Sequence, residues 1–263
     1  MIDRIATAYL VELLKALRWK FTFIGPVFVI ILVALAPLLH PVGGEDQNSY
    51  RFIAFATSSS LNLLGIFLSL SYCAGLVSTE ASSGTIRLVL TRPLFRHEFI
   101  IAKLLTGATY AFVLTLAAAV TSWSMALTLG NLSAVEYGGE VVHTSGSMIR
   151  AYALGYLVAF APQFAFVSFA VMISTLVRNT GAAVITAIGI WIVSDAVKYP
   201  LRIDKYLFGS YVDMPWSVFR AQAEGSLAEW TPDLYWCMGT SAGAALVFCA
   251  VAIFSLHRRN LHG

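Results

Sequence analysis

The chain has 263 residues, of which 58% are hydrophobic and 12% charged, and its mean hydropathy is +0.76. Such a composition leaves too little polar surface to cover a water-soluble globule, so it excludes a soluble domain and favours an integral membrane protein. The net charge of +3 is too small to indicate a nucleic-acid partner. The three cysteines lie within or beside apolar segments, so they predict neither a disulfide framework nor a cysteine metal site.

Residues 1–20 predict an amphipathic helix that lies in the membrane interface as an elbow before the first span. Apolar side chains occupy one helical face, and charged side chains, among them Glu12 and Lys15, gather on the opposite face. A solvated lead-in that only anchors the first span is the alternative. Trp19 and Lys20 mark the membrane boundary.

Six segments that are nearly free of charge follow the elbow, and each is close to the ~20 residues that a helix needs to cross the hydrocarbon core. They are residues 21–39, 52–77, 104–129, 151–177, 181–197 and 234–256. Because the connections are short, the sequence predicts one all-α integral membrane domain of six transmembrane helices over residues 1–263. In the last span, Gly239 and Gly243 form a G-x-x-x-G spacing, which permits close helix packing.

The orientation follows from the distribution of basic residues. If both termini are cytoplasmic, most of the 17 lysines and arginines fall on the cytoplasmic side, as the positive-inside rule requires. The sequence therefore predicts a multi-pass protein of the cytoplasmic (inner) membrane with both termini in the cytoplasm.

Two segments between spans are predicted to lie outside. Residues 131–150 are polar and without pattern, whereas residues 198–233 alternate aromatic with charged side chains. Asp213 before Pro215, and Thr231 before a further proline, predict the starts of short helices. We expect residues 198–233 to form a partly embedded, re-entrant cap before the last span.

Four polar residues in the predicted spans are candidates for a substrate pathway: Ser58, Asn62, Ser69 and Asp195. Polar groups in lipid must find partners or water, and interhelical hydrogen bonding is the alternative for the serines and the asparagine. Asp195 is the only acid in a predicted span, which fits a proton or ion site. Lys198 follows three residues later, so a structural ion pair is the alternative for Asp195.

Residues 78–98 form a polar loop between the second and third spans. Ser78 or Thr79 would cap a short helix that begins near Glu80, and Pro93 would end it. This pattern predicts a short helix that lies across the cytoplasmic face and leaves three arginines exposed, namely Arg87, Arg92 and Arg96. A loop whose arginines only set the orientation is the alternative.

Seven positions around this loop form a distinctive spacing: Gly75, Glu80, Gly84, Thr85, Pro93, Arg96 and Lys103. The spacing resembles the stretch between spans two and three of ABC-2 type permeases, the membrane subunits of a class of ABC exporters. The elbow, the six spans and the cap extend the resemblance over the whole chain, and this architecture is similar to that of the permease used in nitrous oxide reductase maturation.

The resemblance implies that a coupling helix near residues 80–91 docks on a separate ABC ATPase subunit, which would hold the ATP and the magnesium. It also implies that two permease copies, or this chain and a homologue, pair as a dimer within membrane lipid. The coupling residues that it implies are Glu80, Gly84, Thr85, Arg87, Arg92, Pro93 and Arg96.

The sequence contains no G-x-x-x-x-G-K-[ST] phosphate-binding loop, no H-E-x-x-H motif and no G-x-S-x-G motif. We therefore expect no catalytic, cofactor or metal site on this chain and no enzyme activity of its own. The leading hypothesis is the permease subunit of an ATP-driven exporter that works by alternating access. A secondary transporter that uses Asp195 as its ion or proton site is the alternative.

Overall fold

The computed structural model describes residues 2–42, 48–85 and 95–258. Nine α-helices, joined in places by short 3-10 or π-helical turns, account for most of these residues. The helices are α1 (Ile2–Arg18), α2 (Phe21–Leu35), α3 (Ser49–Ser59), α4 (Ile66–Ser82), α5 (Arg96–Leu129), α6 (Ser145–Leu176), α7 (Thr180–Val197), α8 (Met214–Ala223) and α9 (Thr231–Arg258).

Five helical segments among the described residues are long and apolar enough to cross a membrane: Ser49–Ser82, Arg96–Leu129, Ser145–Leu176, Thr180–Val197 and Asp233–Arg258. The first of these joins α3 to α4 through the π-helical turn Ser60–Gly65. Helices α1 and α2 add a sixth span only if they are counted as one pair, which is bent by 64°. The prediction of an all-α membrane protein is confirmed at this level, with five or six candidate spans.

Helix α6 is the centre of the bundle and packs against α4, α5, α7 and α9. Two apolar clusters fill the spaces around it. One cluster contains the buried rings of Tyr50, Tyr152, Trp216 and Phe219. The other contains Leu70, Ile100, Phe166 and Leu256. Among these candidate spans, helices α7 and α9 bury the smallest share of their apolar stretches within the chain.

The bundle has two distinct ends. The end that we call the terminal end gathers α1, the end of α4, the start of α5 and the end of α9, because Arg96 Nη1 donates hydrogen bonds to the carbonyl oxygens of Leu256 and His257 at 2.7 and 2.8 Å. The opposite end, which we call the cap end, carries α8 and two 3-10 turns, Asp204–Tyr206 and Phe208–Tyr211. Both ends of the described chain therefore lie at the terminal end.

Two helices run beyond the predicted spans because charged residues at their ends find partners inside the protein. The helix of the second span continues past residue 77 to Ser82, and that of the third begins at Arg96, before residue 104. Both ends of the loop predicted over residues 78–98 therefore belong to α4 and α5. The predicted helix over residues 80–91 does not begin at Glu80, which lies in the last turn of α4, and residues 86–94 lie outside the described residues.

Residues 131–150, whose sequence shows no pattern, contain a regular element. Two short strands, β1 (Val135–Tyr137) and β2 (Glu140–His143), form an antiparallel hairpin there. Gly138 and Gly139 between them have φ angles of 63° and 86°. A two-residue turn with both φ angles positive matches the right-handed twist of the strands, and glycine adopts it without strain.

The cap segment contains short helices, but its two proline signals act differently from the prediction. Helix α8 begins at Met214, directly after Asp213, yet the Asp213 side chain does not cap it. Thr231 starts the last span itself rather than a separate short helix. Residues 224–230 alone therefore connect α8 to α9.

Candidate functional site

An ion network joins α1 to the two helix ends that flank the loop of residues 83–95. We use this name for Glu12, Lys15, Glu80 and Lys103. Lys103 Nζ donates to Glu12 Oε2 at 2.5 Å and to Glu80 Oε1 at 2.8 Å. Lys15 Nζ donates to Glu12 Oε1 at 2.6 Å and to Glu80 Oε1 at 3.0 Å. Two ammonium groups thus alternate with two carboxylates in a closed ring.

Burial makes the members of the ion network unequal. The Lys103 side chain is 1% exposed, and those of Glu12 and Glu80 are 10% and 12% exposed, whereas that of Lys15 is 49% exposed. A buried charge is costly unless it is paired and hydrogen-bonded, so Lys103 depends on its two carboxylates more than Lys15 does. The ring therefore has a buried half and a half that reaches the surface.

The pKa values on α1 favour the charged forms. Burial alone would raise the pKa of Glu12, but the charges and hydrogen bonds of Lys103 and Lys15 outweigh burial and lower it below its ordinary value. Burial alone would lower the pKa of Lys15, but its hydrogen bonds to Glu12 and Glu80 outweigh burial and raise it. Both side chains are therefore charged at neutral pH, and the pairing holds α1 against the bundle.

Local sequence explains why these side chains meet. Glu12 and Lys15 are one helical turn apart on α1, so they share a face. Leu10, Leu14 and Leu17 of the same helix are exposed, which leaves their face free for lipid. The charged face of α1 was predicted to lie opposite the membrane, and the structure directs Glu12 into the bundle instead. A further contact between Tyr9 Oη and Thr109 Oγ1, at 2.7 Å, ties α1 to α5.

The predicted coupling residues fall into four groups. Glu80 belongs to the ion network. Gly84 has a φ angle of 73°, and no atom of the described residues lies within 4 Å of a Cβ added there, while the exposed Thr85 contacts Ser83 Oγ through its hydroxyl at 2.9 Å. Arg96 was predicted to be exposed, but it is partly buried because it binds the last carbonyls of α9. Three further candidates lie outside the described residues, namely Arg87, Arg92 and Pro93.

A second polar group, the cap cluster, lies where α8 meets the second span. It consists of Ser58, Asn62, Asp213 and Arg220. The Asp213 carboxylate accepts hydrogen bonds from Ser58 Oγ at 2.6 Å and Asn62 Nδ2 at 2.5 Å, and Arg220 Nη2 donates to Ser58 Oγ at 3.3 Å. Asn62 lies in the π-helical turn, a feature that often occurs at functional sites. The cluster therefore fastens the cap to the half of the second span that lies toward the cap end.

The other two pathway candidates lie elsewhere. Ser69 is buried beside a cavity of about 10 Å³, which is also lined by Thr115 and Gln163. Asp195 forms an ion pair with Lys198, and its side chain is 52% exposed. The structure brings together Ser58 and Asn62 and does not place Asp195 in a shielded site, so the ion-pair interpretation of Asp195 is supported.

The sequence indicated several polar residues of these sites but not the residues that they bind. Asp213 and Arg220 are separated by more than 150 residues from the serine that they bind, and no sequence pattern links such distant positions. Lys103 offered a usable signal, because a lysine directly before an apolar run needs either water or a carboxylate partner. Among the described ranges, no group of three or more histidine, cysteine, aspartate or glutamate side chains is placed to hold a metal ion.

This architecture defines an α-helical membrane protein whose first helix and second and third spans are joined by buried ion pairs. Within that class, the chain belongs to the family described as "Protein of unknown function (DUF2705)", which residues 24–262 match. No curated protein matches the chain.

Proposed function

We propose that this chain is the transmembrane subunit of an ATP-driven exporter and that a separate ABC ATPase docks on the loop between α4 and α5. The ion network carries the proposal. Glu80 and Lys103 flank that loop and pair with each other and with Glu12 of α1. A force on the loop is therefore transmitted to α1, α4 and α5 together instead of only bending the loop.

The second span offers a route for such a movement to the far end. Residues 49–82 form one helical segment of 34 residues, about 50 Å long at 1.5 Å per residue. Its terminal end carries Glu80, and Ser58 and Asn62 near its other end hold Asp213 in the cap cluster. The π-helical turn, which contains Asn62, supports a role as the place where the span changes its bend.

In the proposed assembly, two copies of the chain, or the chain and a homologue, form the pathway in the cytoplasmic membrane. Both termini and the loop between α4 and α5 face the cytoplasm, in agreement with the distribution of basic residues. ATP and magnesium bind to the ATPase subunits. The ion pair of Asp195 with Lys198 gives no support to a secondary transporter built on Asp195.

Cysteine labelling tests this orientation. Ser82 and Ser226 are exposed at the terminal end and near the cap end, respectively. In intact cells, a membrane-impermeant maleimide should label S226C and not S82C, and both should react in the solubilised permease after the ATPase has been removed. The unmodified chain is the control for background labelling, because its native cysteines are shielded: Cys73 and Cys237 are buried and Cys249 is partly buried. Labelling of S82C in intact cells would reverse the proposed orientation.

A bulky side chain at the loop tests docking. Ser82 is exposed beside Gly84, so Ser82→Trp should fold normally, since surface substitutions usually change stability by about 0.5 kcal/mol or less. The indole would block a docked subunit, and a loss of 1.4 kcal/mol in docking energy lowers binding about tenfold. ATP hydrolysis by the purified, tagged complex should therefore fall at least about tenfold for Ser82→Trp.

The matched control is Ser226→Trp, which places the same bulk near the cap end and should leave ATP hydrolysis unchanged. Glu80→Lys is a poor probe, because it puts a third cation into the ion network and disturbs folding as well as docking. If the unmodified chain purifies without an ATPase, or if both tryptophan variants behave alike, the exporter proposal is wrong.

A further inference from the structure

A cavity of about 740 Å³ lies between α1 and the adjoining parts of α4 and α5. Its volume is within the roughly 300–1,000 Å³ that is usual for small-molecule sites. Aromatic side chains, Trp19, Tyr72 and Phe99, contribute to an apolar wall, and the whole ion network also lines the cavity. A ligand here would contact apolar surface and charged groups at once, as an amphiphile does.

The charges around the cavity cancel. Among the described residues that line it there are three acids and three bases, namely Asp3, Glu12 and Glu80 against Arg4, Lys15 and Lys103. A neutral lining offers no net attraction to an anionic or a cationic head group. It suits a head group that carries one charge of each sign, because each charge then finds a nearby opposite one.

Two polar atoms of the ion network have hydrogen-bonding capacity left over. Glu80 Oε2 is buried and, within the described ranges, accepts no hydrogen bond. A buried carboxylate oxygen without a donor is costly. Lys15 is half exposed and donates two hydrogen bonds, while an ammonium group carries three protons. An acceptor and a donor thus remain for a ligand.

We propose that this cavity binds a zwitterionic phospholipid with a primary ammonium head group, of the phosphatidylethanolamine type. The ammonium donates to Glu80 Oε2, and Lys15 donates to the phosphate. The upper acyl chains lie against Trp19, Tyr72 and Phe99. A quaternary ammonium has no N–H to donate, so phosphatidylcholine cannot satisfy Glu80. The proposal does not depend on the ATPase.

Native mass spectrometry of the delipidated, full-length protein tests the assignment with three lipids of identical acyl chains. Phosphatidylethanolamine should bind at least about tenfold more tightly than phosphatidylcholine or phosphatidylglycerol, corresponding to the loss of one or two hydrogen bonds to charged groups. Glu80→Gln should abolish the preference for ethanolamine over choline, because the amide can present an N–H where the carboxylate presented an acceptor.

Ala8→Trp provides a second, independent variant. Ala8 lines the cavity and is only partly buried, so an indole there fills the cavity without entering the packed interior of the helix bundle. This change should lower phosphatidylethanolamine binding about tenfold. Leu10→Trp is the control, since Leu10 lies on the same helix, is 55% exposed and is not part of the lining.

Three results would overturn the proposal: equal binding of phosphatidylethanolamine and phosphatidylcholine, tighter binding of phosphatidylglycerol, or unchanged binding by the Ala8→Trp variant. The binding of glycerophosphoethanolamine, the head group without acyl chains, should be measured in the same experiment. If it binds as tightly as the lipid, the ligand is a soluble amine and the lipid assignment is wrong. Ser82→Trp lies outside the cavity lining, so a failure of ATPase docking leaves these results unaffected.

Discussion

Lys103→Met should destabilise the protein by about 3–5 kcal/mol, the usual cost of removing one partner of a buried ion pair. The lysine ammonium is 1% exposed and is shared by Glu12 and Glu80. Its removal leaves two buried carboxylates facing each other, with only the half-exposed Lys15 between them. Unfolding of the purified protein in detergent should therefore occur at a much lower temperature, and α1 should become accessible to protease.

Lys15→Met is the matched control, because Lys15 donates to the same two carboxylates. Its side chain is 49% exposed, and exposed ion pairs contribute up to about 1 kcal/mol. The two variants lose the same charge and differ only in burial. Equal destabilisation by both would show that burial of Lys103 does not govern the ion network.

The fold class could be predicted because it depends on composition and on the length of apolar runs, which are local properties. The helix boundaries could not, because Glu80, Arg96 and Lys103 are charged residues that look like loop residues until their partners are known. Each partner lies on another helix, and Arg96 binds carbonyls 160 and 161 positions away. Tertiary pairing therefore extends the second and third spans beyond their apolar runs.

The candidate sites show the same limit. Ser58 and Asn62 are four residues apart, a spacing that places them on one helical face. Their acceptor, Asp213, was interpreted as a helix cap because it precedes Pro215. Its carboxylate instead accepts hydrogen bonds from the second span. The local sequence correctly indicated where α8 begins. It did not indicate what Asp213, the residue directly before α8, binds.

The glycine pair of the last span makes no close helix contact within the described chain. Gly239 and Gly243 form the recognisable G-x-x-x-G pair, but no described atom beyond their own helix turn lies within 4 Å of a Cβ added at either position. Close approaches lie instead at Gly25, Gly107 and Gly130, and Gly107, a single glycine on α5, faces buried side chains of two other helices. A Cβ there would lie 2.7 Å from Val167 Cγ1 and 2.8 Å from Cys73 Sγ. One glycine thus lets α4, α5 and α6 meet.

Gly107→Ala should therefore destabilise the protein by about 1–3 kcal/mol, the typical cost of overpacking a core. Val167 and Cys73 are completely buried, and a valine side chain has few rotamers with which to move aside. Gly243→Ala should have the opposite sign, because alanine in a helix is favoured over glycine by about 0.8–1.0 kcal/mol. Thermal unfolding in detergent should show a fall for the first variant and a rise for the second. A rise in unfolding temperature for both variants would mean that α5 can move away from α4 and α6 at little cost. The three helices would then not move as a single unit, and the proposed transmission of force from the loop depends on such a unit.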